Sequence, residues 1–261
     1  MYRKFLAILL YCFSSSAAFA CGEISPCPIG DRHYRVFVPE SPIRPSGALV
    51  FAHGFGGTDS EIVNNKNLRQ LARERGLVLI ATKSVGPAWA IPFSPRNYES
   101  DGRAEESYYE AVIDDAWRRY GFERENAVMA GFSSGGMMTW HMACNRPDLF
   151  AGFISISGTF WLEPPASCET PVKSLVHIHG TEDSVVPLTG RQIRNTHQGD
   201  VNAALALYIQ MGNFRSGSQI DYEDLSCEER ISNSEKRLTF CTFLGGHRFS
   251  TSHLNFALEQ L

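Results

Sequence analysis

The chain has 261 residues, 43% of them hydrophobic, and a formal net charge of −4 at pH 7. One α/β domain can reach this length without dividing, so a second core is not required. The negative charge and the lack of any basic stripe in the sequence argue against nucleic acid as a partner.

The first twenty residues (1–20) have the order of a secretory signal peptide. Arg3 and Lys4 are followed by an apolar run over 5–13 and then by the small residues that end at Ala20. That order predicts cleavage after Ala20. A membrane anchor is the alternative, but the run is too short to span a bilayer, and no later segment of the sequence is long and apolar enough. We expect one domain over 21–261, secreted or periplasmic, without stable membrane association.

Apolar runs alternate with segments of helical periodicity along the rest of the chain. Strands that are apolar throughout are buried on both faces, and their alternation with helices predicts a mostly parallel sheet with helices on both faces. In such sheets ligands bind beyond the carboxyl ends of the strands. The predicted strands are 34–38, 48–52, 77–82, 127–131, 152–157, 174–180 and 237–243, and the predicted helices are 60–75, 112–120, a segment after Gly135, 200–211 and 251–260.

The cysteine content is typical of an exported chain. Cys12 lies in the leader, which leaves an even number, and this favours disulfides over free thiols. Proximity in the sequence suggests three pairs, although other pairings stay open and lipidation of Cys21 is a weaker alternative. The suggested pairs are Cys21–Cys27, Cys144–Cys168 and Cys227–Cys241.

A serine between glycines follows one of these strands. Gly131, Ser133 and Gly135 form the pattern G-x-S-x-G between a predicted strand and a predicted helix. A tight turn there would place the Ser133 hydroxyl at the start of the helix, where backbone N–H groups favour negative charge. A glycine-rich turn without chemistry is the alternative. The context favours Ser133 as a nucleophile.

An acid and a histidine follow in the expected order. Asp183 comes just after the strand 174–180, with Glu182 as the adjacent rival, and His247 follows the last strand in a glycine-rich loop. A serine needs a base to remove its proton, and the order Ser, Asp, His is the one that this chemistry has on such sheets. His253 lies inside the last predicted helix, so packing explains it better.

A second glycine-rich loop follows the early strand 48–52. Its backbone can supply one donor for an oxyanion, namely the Phe55 N–H, and the Ser134 N–H can supply the other. Losing one such donor typically costs about 3 kcal/mol of transition-state stabilisation. A loop without function is the alternative.

These motifs together resemble those of secreted α/β-hydrolases, and more narrowly of the polyhydroxybutyrate depolymerase and feruloyl esterase group. The resemblance covers roughly residues 32–255 and implies the α/β-hydrolase fold, secretion, and a triad of Ser133, Asp183 and His247. Two departures concern the substrate: Phe55 stands where the group often has a small residue, and Arg248 follows the last histidine where many members have tryptophan. The motifs are "HGFGG", "AGFSSGGMM", "HGTEDSVVP" and "GGH".

A long loop after the third predicted strand is the expected specificity element. Residues 84–103 are rich in Pro and Gly and carry Trp89 and Phe93, and Trp161 follows another strand toward the same edge. Long loops at the carboxyl ends of strands usually bind or cover a site. We predict that these three aromatic residues contact substrate; the alternative for each is packing beneath the loop.

The predicted function is hydrolysis of carboxylic esters, on polyhydroxyalkanoate or hydroxycinnamoyl substrates. The motifs imply no metal and no organic cofactor, and the partner is an ester that could be polymeric. A serine peptidase of the same fold, an acetyl or short-acyl esterase, and a non-catalytic binding protein remain alternatives. The sequence leaves the oligomeric state open.

Overall fold

The computed structural model describes residues 21–22, 24–41 and 43–261. The predicted signal peptide therefore lies outside the described residues. No helix in the described part of the chain is long and apolar enough to cross a membrane.

Ten strands of the described chain form one mixed sheet, and two short strands, β8 Arg191–Ile193 and β9 Thr196–Gln198, form a separate hairpin. The order of the ten-stranded sheet is β1-β2-β4-β3-β5-β6-β7-β12-β11-β10. The strands from β4 through β12 in this order pair in parallel, while β1, β2, β11 and β10 pair antiparallel. The bounds are β1 Cys27–Ile29, β2 Arg32–Phe37, β3 Gly47–Ala52, β4 Leu77–Thr82, β5 Ala127–Phe132, β6 Gly152–Ile156, β7 Ser174–Gly180, β10 Arg215–Tyr222, β11 Leu225–Ile231 and β12 Arg237–Phe243.

Helices cover both faces of this sheet, as predicted. One hydrophobic cluster packs α3, α4 and α5 on one face, and a second packs α1, α2 and α6 on the other. The central strands β3, β5, β6 and β7 are almost wholly buried because both of their faces are covered. The helices are α1 Asp59–Asn64, α2 Lys66–Arg75, α3 Arg103–Tyr120, α4 Ser134–Asn145, α5 Val201–Gly212 and α6 Thr251–Glu259.

The helix predicted over 60–75 is two helices. Asn65 ends α1 with extended backbone, and its side chain accepts hydrogen bonds from the N–H groups of Asn67 and Leu68 at the start of α2. An asparagine side chain caps a helix start well, because its oxygen satisfies N–H groups that have no partner within the helix. Gly76 then ends α2 in the left-handed region, a conformation that glycine adopts readily.

The three disulfides of the structure are the three pairs that sequence proximity suggested. Cys21–Cys27 ties the amino-terminal residues to β1, and Cys144–Cys168 ties the end of α4 to the segment before β7. Cys227 and Cys241 are opposite partners on β11 and β12, so their bond crosses the antiparallel edge of the sheet.

Candidate active site

The candidate residues lie beyond the carboxyl ends of the parallel strands. Because these ends share one edge of the sheet, loops that are distant in sequence meet there. The strands β3, β5, β7 and β12 end at Ala52, Phe132, Gly180 and Phe243, just before Phe55, Ser133, Asp183 and His247 respectively. The loop after β4 and the segment after β6 reach the same edge and carry the three aromatic residues predicted to bind substrate.

Ser133 occupies the strained turn that the sequence predicted. Its backbone has φ 57° and ψ −121°, a region that residues with a side chain rarely adopt. A Cβ on Gly131 would collide with the carbonyl of Gly135, and one on Gly135 would collide with the carbonyl of Ala52. Only glycine therefore fits two residues before Ser133 and two residues after it. The turn is held by the Ser133 N–H, which donates to Ile156 O at 2.8 Å.

Asp183 and His247 are joined by a short hydrogen bond. His247 Nδ1 lies 2.7 Å from Asp183 Oδ2. Asp183 Oδ1 accepts from the backbone N–H groups of Val185 and Val186, at 2.9 and 2.8 Å. Burial alone would raise the pKa of Asp183, but the hydrogen bonds from Val186 and His247 outweigh it and hold the pKa below its ordinary value. The carboxylate is therefore ionised at neutral pH.

The His247 ring lies against the residue that precedes Ser133. The ring centroids of Phe132 and His247 are 4.7 Å apart, so the imidazole packs beside the strained turn. In the described structure no hydrogen bond joins the Ser133 hydroxyl to His247. Because Nδ1 is bonded to a carboxylate that can only accept, Nδ1 carries the hydrogen and Nε2 is the nitrogen left to act as a base.

The loop after β3 is held by His53, a residue whose role the sequence did not reveal. His53 Nδ1 donates to Gly54 O at 2.8 Å, and the N–H of Gly57 donates to the same oxygen at 3.1 Å. In a trans peptide the C=O and the following N–H point in opposite directions, so fixing Gly54 O also fixes the direction of the Phe55 N–H. Gly54 packs against Ser133, since a Cβ there would lie 3.5 Å from Ser133 Cβ.

The two predicted donor N–H groups are available to a ligand. Ser134 is the first residue of α4, so its N–H has no partner within the helix, and the helix dipole adds positive potential. Within the range that the structure describes, neither the Ser134 N–H nor the Phe55 N–H has a hydrogen-bond acceptor.

A cavity of about 320 Å³ opens beside Ser133 and Ser134. Its apolar wall includes Phe55, Met137 and Trp161. A second cavity of about 180 Å³ adjoins it, shares Met137 and Trp161 with it, and includes Phe93. Trp161 thus lines both cavities, and Phe93, which is 42% exposed, lines the second one.

Trp89 is not an exposed ring, which corrects the expectation that it contacts substrate. It is 1% exposed, and its Nε1 donates to His53 O at 2.9 Å. Its ring packs against those of His53 and Tyr109. The indole is buried because it fills the space beneath the loop 84–103 and bonds to the backbone of the loop after β3. Trp89 therefore supports the donor loop from below.

His177 and His179 lie within β7 behind the acid. Trp140 Nε1 donates to His177 Nδ1 at 3.2 Å, His177 Nε2 lies 3.0 Å from His179 Nδ1, and His179 Nε2 lies 2.7 Å from Val186 O. The described residues contain no group of three or more His, Cys, Asp or Glu side chains that could hold a metal ion. These two histidines form a hydrogen-bonded chain that ends at the loop around Asp183.

Comparison with known proteins identifies relatives of the chain. The model of the family described as phospholipase/carboxylesterase matches residues 33–205. A protein of Nocardia uniformis subsp. tsuyamanensis, described as an esterase, is 30% identical over 163 residues, or 61% of this chain and 47% of that protein. Feruloyl esterase B of Neurospora crassa is 26% identical over 133 residues, or 50% of this chain and 45% of that protein.

The solved structures agree with the fold. An acetyl xylan esterase from Aspergillus awamori superposes with a TM-score of 0.64 at 13% identity, over 88% of this chain and 95% of that one. This likeness confirms the α/β-hydrolase fold. The matches span 22% to 56% of the length of the first five curated relatives.

Proposed function

Because the chain belongs to the phospholipase/carboxylesterase family, we propose that it is a serine hydrolase that cleaves carboxylic esters by acyl transfer. Ser133 is the nucleophile, His247 the general base and Asp183 the acid that orients it. The observation that carries this proposal is the 2.7 Å bond from His247 to Asp183 beside the strained backbone of Ser133.

His247 performs both proton transfers. Its Nε2 removes the Ser133 proton as the hydroxyl oxygen attacks the ester carbonyl, and the imidazolium then gives that proton to the departing alcohol. In the second half of the reaction, His247 removes a proton from the water that attacks the acyl-enzyme and then returns a proton to the Ser133 oxygen as the acid product leaves. Asp183, kept ionised by its hydrogen bonds, holds the imidazole in the tautomer that leaves Nε2 free and stabilises the cation when it forms.

The negative charge of the tetrahedral intermediate forms on the former carbonyl oxygen. The N–H groups of Phe55 and Ser134 bind it, and the start of α4 adds a favourable dipole. These donors are fixed before the reaction, the first by His53 and the second by the helix itself. Preorganised donors stabilise the charge without having to reorient during the reaction.

The volume of the cavity beside Ser133 limits the size of the substrates that can bind there. A volume of about 320 Å³ lies near the lower end of the range for small-molecule sites, about 300 to 1,000 Å³. It suits one acyl group with an apolar body better than several repeat units at once. We propose hydroxycinnamoyl esters or the terminal units of polyhydroxyalkanoates as substrates, with acetyl and other short acyl esters as the alternative. Three disulfides and the predicted leader support a secreted or periplasmic location.

Covalent labelling tests the nucleophile. A fluorophosphonate reacts with a serine that a neighbouring base activates. We expect one adduct on the wild-type protein, located on the peptide that contains Ser133, and none on the Ser133→Ala variant. A wild-type protein that stays unlabelled would leave only the binding-protein alternative.

A substrate panel tests the reaction class. Purified protein lacking residues 1–20 is assayed with methyl ferulate, hydroxybutyrate oligomers, acetylated sugars and peptide p-nitroanilides. We expect ester cleavage without anilide cleavage, because the family to which the chain belongs is described as phospholipase/carboxylesterase. Anilide cleavage at a comparable rate would favour the peptidase alternative.

A further inference from the structure

Three arginines and no carboxylate line the cavity beside Ser133. Arg96, Arg191 and Arg194 are all exposed, while the acidic residues Asp101 and Glu163 line the adjoining cavity instead. The chain as a whole is acidic, with a net charge of −4. A local cluster of one sign in a cleft concentrates ligands of the opposite sign.

Two of these guanidinium groups are positioned by neighbours that also line the cavity. The Cζ atom of Arg96 lies 5.5 Å from the centroid of the Phe55 ring. Arg191 Nε donates to Gln198 Oε1 at 3.3 Å. In the described part of the chain, none of the three arginines forms an ion pair with an acid. Their charges are therefore not neutralised by the protein.

The arginines approach the cavity from two sides. Arg96 belongs to the loop after β4, whereas Arg191 and Arg194 belong to a hairpin of β8 Arg191–Ile193 and β9 Thr196–Gln198. The hairpin is fixed to the segment after β6, since the N–H of Leu162 donates to His197 O at 2.8 Å. A ligand in the cavity can thus meet cationic groups from both loops.

A buried hydroxyl of the same wall also has no partner. Ser94 is 3% exposed and lines the cavity, and its Oγ has no hydrogen bond within the described structure. A buried hydroxyl without a partner is uncommon, and a ligand oxygen is one way to satisfy it. Ser94 lies two residues from Arg96, so a carboxylate near that arginine could also accept from this hydroxyl.

From these contacts we propose that the site selects esters that carry a carboxylate, either on the acyl part or on the alcohol part. The guanidinium groups bind the carboxylate while the ester carbonyl lies at Ser133. This proposal rests on the esterase activity proposed above and specifies its substrate class. It applies equally to an oligoester with a free carboxyl end and to an acylated sugar acid, since both present the same anionic group.

Two matched ester pairs test the preference. On the acyl side, 4-nitrophenyl hydrogen adipate is compared with 4-nitrophenyl methyl adipate. On the alcohol side, 4-acetoxybenzoate is compared with methyl 4-acetoxybenzoate. Each pair gives the ratio of kcat/KM for the charged ester to that for the neutral one. Comparing this ratio between wild type and variants cancels the intrinsic reactivity of the esters.

The variants are Arg96→Gln, Arg191→Gln and Arg194→Gln, with Arg118→Gln as the control. Arg118 lies in the last turn of α3, outside both cavities. We expect the charged-to-neutral ratio to fall about two- to fivefold in each cavity variant, because an exposed guanidinium group attracts a carboxylate only weakly, and to be unchanged in the control. In wild type, raising NaCl should lower the ratio, because salt screens exposed charges. A response in either pair supports the proposal and identifies the side that carries the carboxylate.

Failure of the carboxylate preference and failure of the esterase proposal would give different results. If wild type cleaves the neutral esters but the ratio is the same in all four variants and at all salt concentrations, the carboxylate preference is wrong and the esterase proposal stands. If wild type cleaves no ester of either pair, the esterase proposal fails, and the carboxylate preference fails with it.

Discussion

His177 and His179 are neighbours on the same face of β7, with Nε2 of the first 3.0 Å from Nδ1 of the second. Trp140 can only donate to His177, and Val186 O can only accept from His179, so the direction of the chain of hydrogen bonds is fixed. Each ring carries its hydrogen on Nε2 and is neutral. Burial, which disfavours the charged form, lowers the pKa of both rings, and their mutual repulsion lowers that of His177 further.

Because His177 and His179 are neutral in the folded protein, we predict that the free energy of unfolding decreases in acid. A histidine that stays neutral when folded binds a proton only in the unfolded chain, so unfolding takes up protons below the ordinary pKa of 6.5. The free energy of unfolding is then highest above pH 6.5 and decreases as the pH falls below it. His177 alone should account for about 2 kcal/mol between pH 7.5 and pH 5.

Urea denaturation across this pH range measures the effect. His177→Asn keeps a side chain that can accept from Trp140 and donate to His179, but it removes the titrating group. We expect the variant to lose less stability than wild type on acidification, whatever its stability at pH 7.5. Equal slopes would mean that His177 binds its proton over the same pH range in the folded and the unfolded protein, which would contradict the prediction.

Asp183→Asn should abolish most of the activity without unfolding the chain. An amide at this position can present its N–H₂ group to His247 and stabilise the wrong tautomer, and it cannot balance the imidazolium charge. We expect kcat to fall by about 10⁴, by the precedent of such substitutions in serine proteases. Glu182→Gln is the matched control, since Glu182 is exposed and adjacent. A loss of equal size in both variants would remove the distinction between the two acids.

Much of the fold and site could be predicted because the relevant signals are local. The buried strands appear as continuous apolar runs, and the turn at Ser133 requires glycines at fixed distances from it. Asp183 and His247 each follow an apolar strand, so their positions beyond strand ends followed from the pattern. These features depend on residues within a few positions of one another.

Other features depend on tertiary contacts that no local pattern encodes. The edge strand β10 reads RSGSQIDY and is largely exposed, so it has no apolar run to reveal it. Trp89 lies in a loop rich in Pro and Gly, where an aromatic ring can be either buried or exposed. Arg96 meets Arg191 and Arg194 only because two separate loops close on one cavity. The role of His53 depends on the orientation of one peptide plane.

Removing the Cys144–Cys168 bond should destabilise the protein more than removing Cys21–Cys27. The bonded residues are 24 apart in sequence in the first case and 6 in the second, and a longer closed loop restricts the unfolded chain more. We expect the double variant Cys144→Ala and Cys168→Ala to lose about 3 kcal/mol of unfolding free energy. The double variant Cys21→Ala and Cys27→Ala should lose less. Urea denaturation measures both. Alkylation of the unreduced protein that lacks residues 1–20 should label no thiol, whereas six labels would disprove all three bonds.

Gly131→Ala should damage both stability and activity. The added methyl group would collide with the carbonyl of Gly135, so the strand and the helix that flank Ser133 must move apart. We expect a loss of several kcal/mol of unfolding free energy, in the range of severe overpacking, and at least a hundredfold loss of kcat/KM. Gly22→Ala is the control, because its methyl group would lie an ordinary 3.7 Å from Val36 O. Normal activity in Gly131→Ala would contradict the steric account of the turn.

Trp161→Ala should shift the substrate preference of the proposed esterase toward longer acyl chains. Trp161 lines both cavities, of about 320 and 180 Å³, so truncating its side chain should enlarge the space beside Ser133 toward the second cavity. Each additional buried methylene contributes about 0.8 kcal/mol, so a chain that reaches the second cavity gains several such contributions. We expect the ratio of kcat/KM for 4-nitrophenyl octanoate to that for the acetate to rise at least tenfold. Trp117→Ala is the control, because Trp117 is 40% exposed on α3 and lines neither cavity. An unchanged ratio in Trp161→Ala would show that this ring does not limit the length of the acyl group.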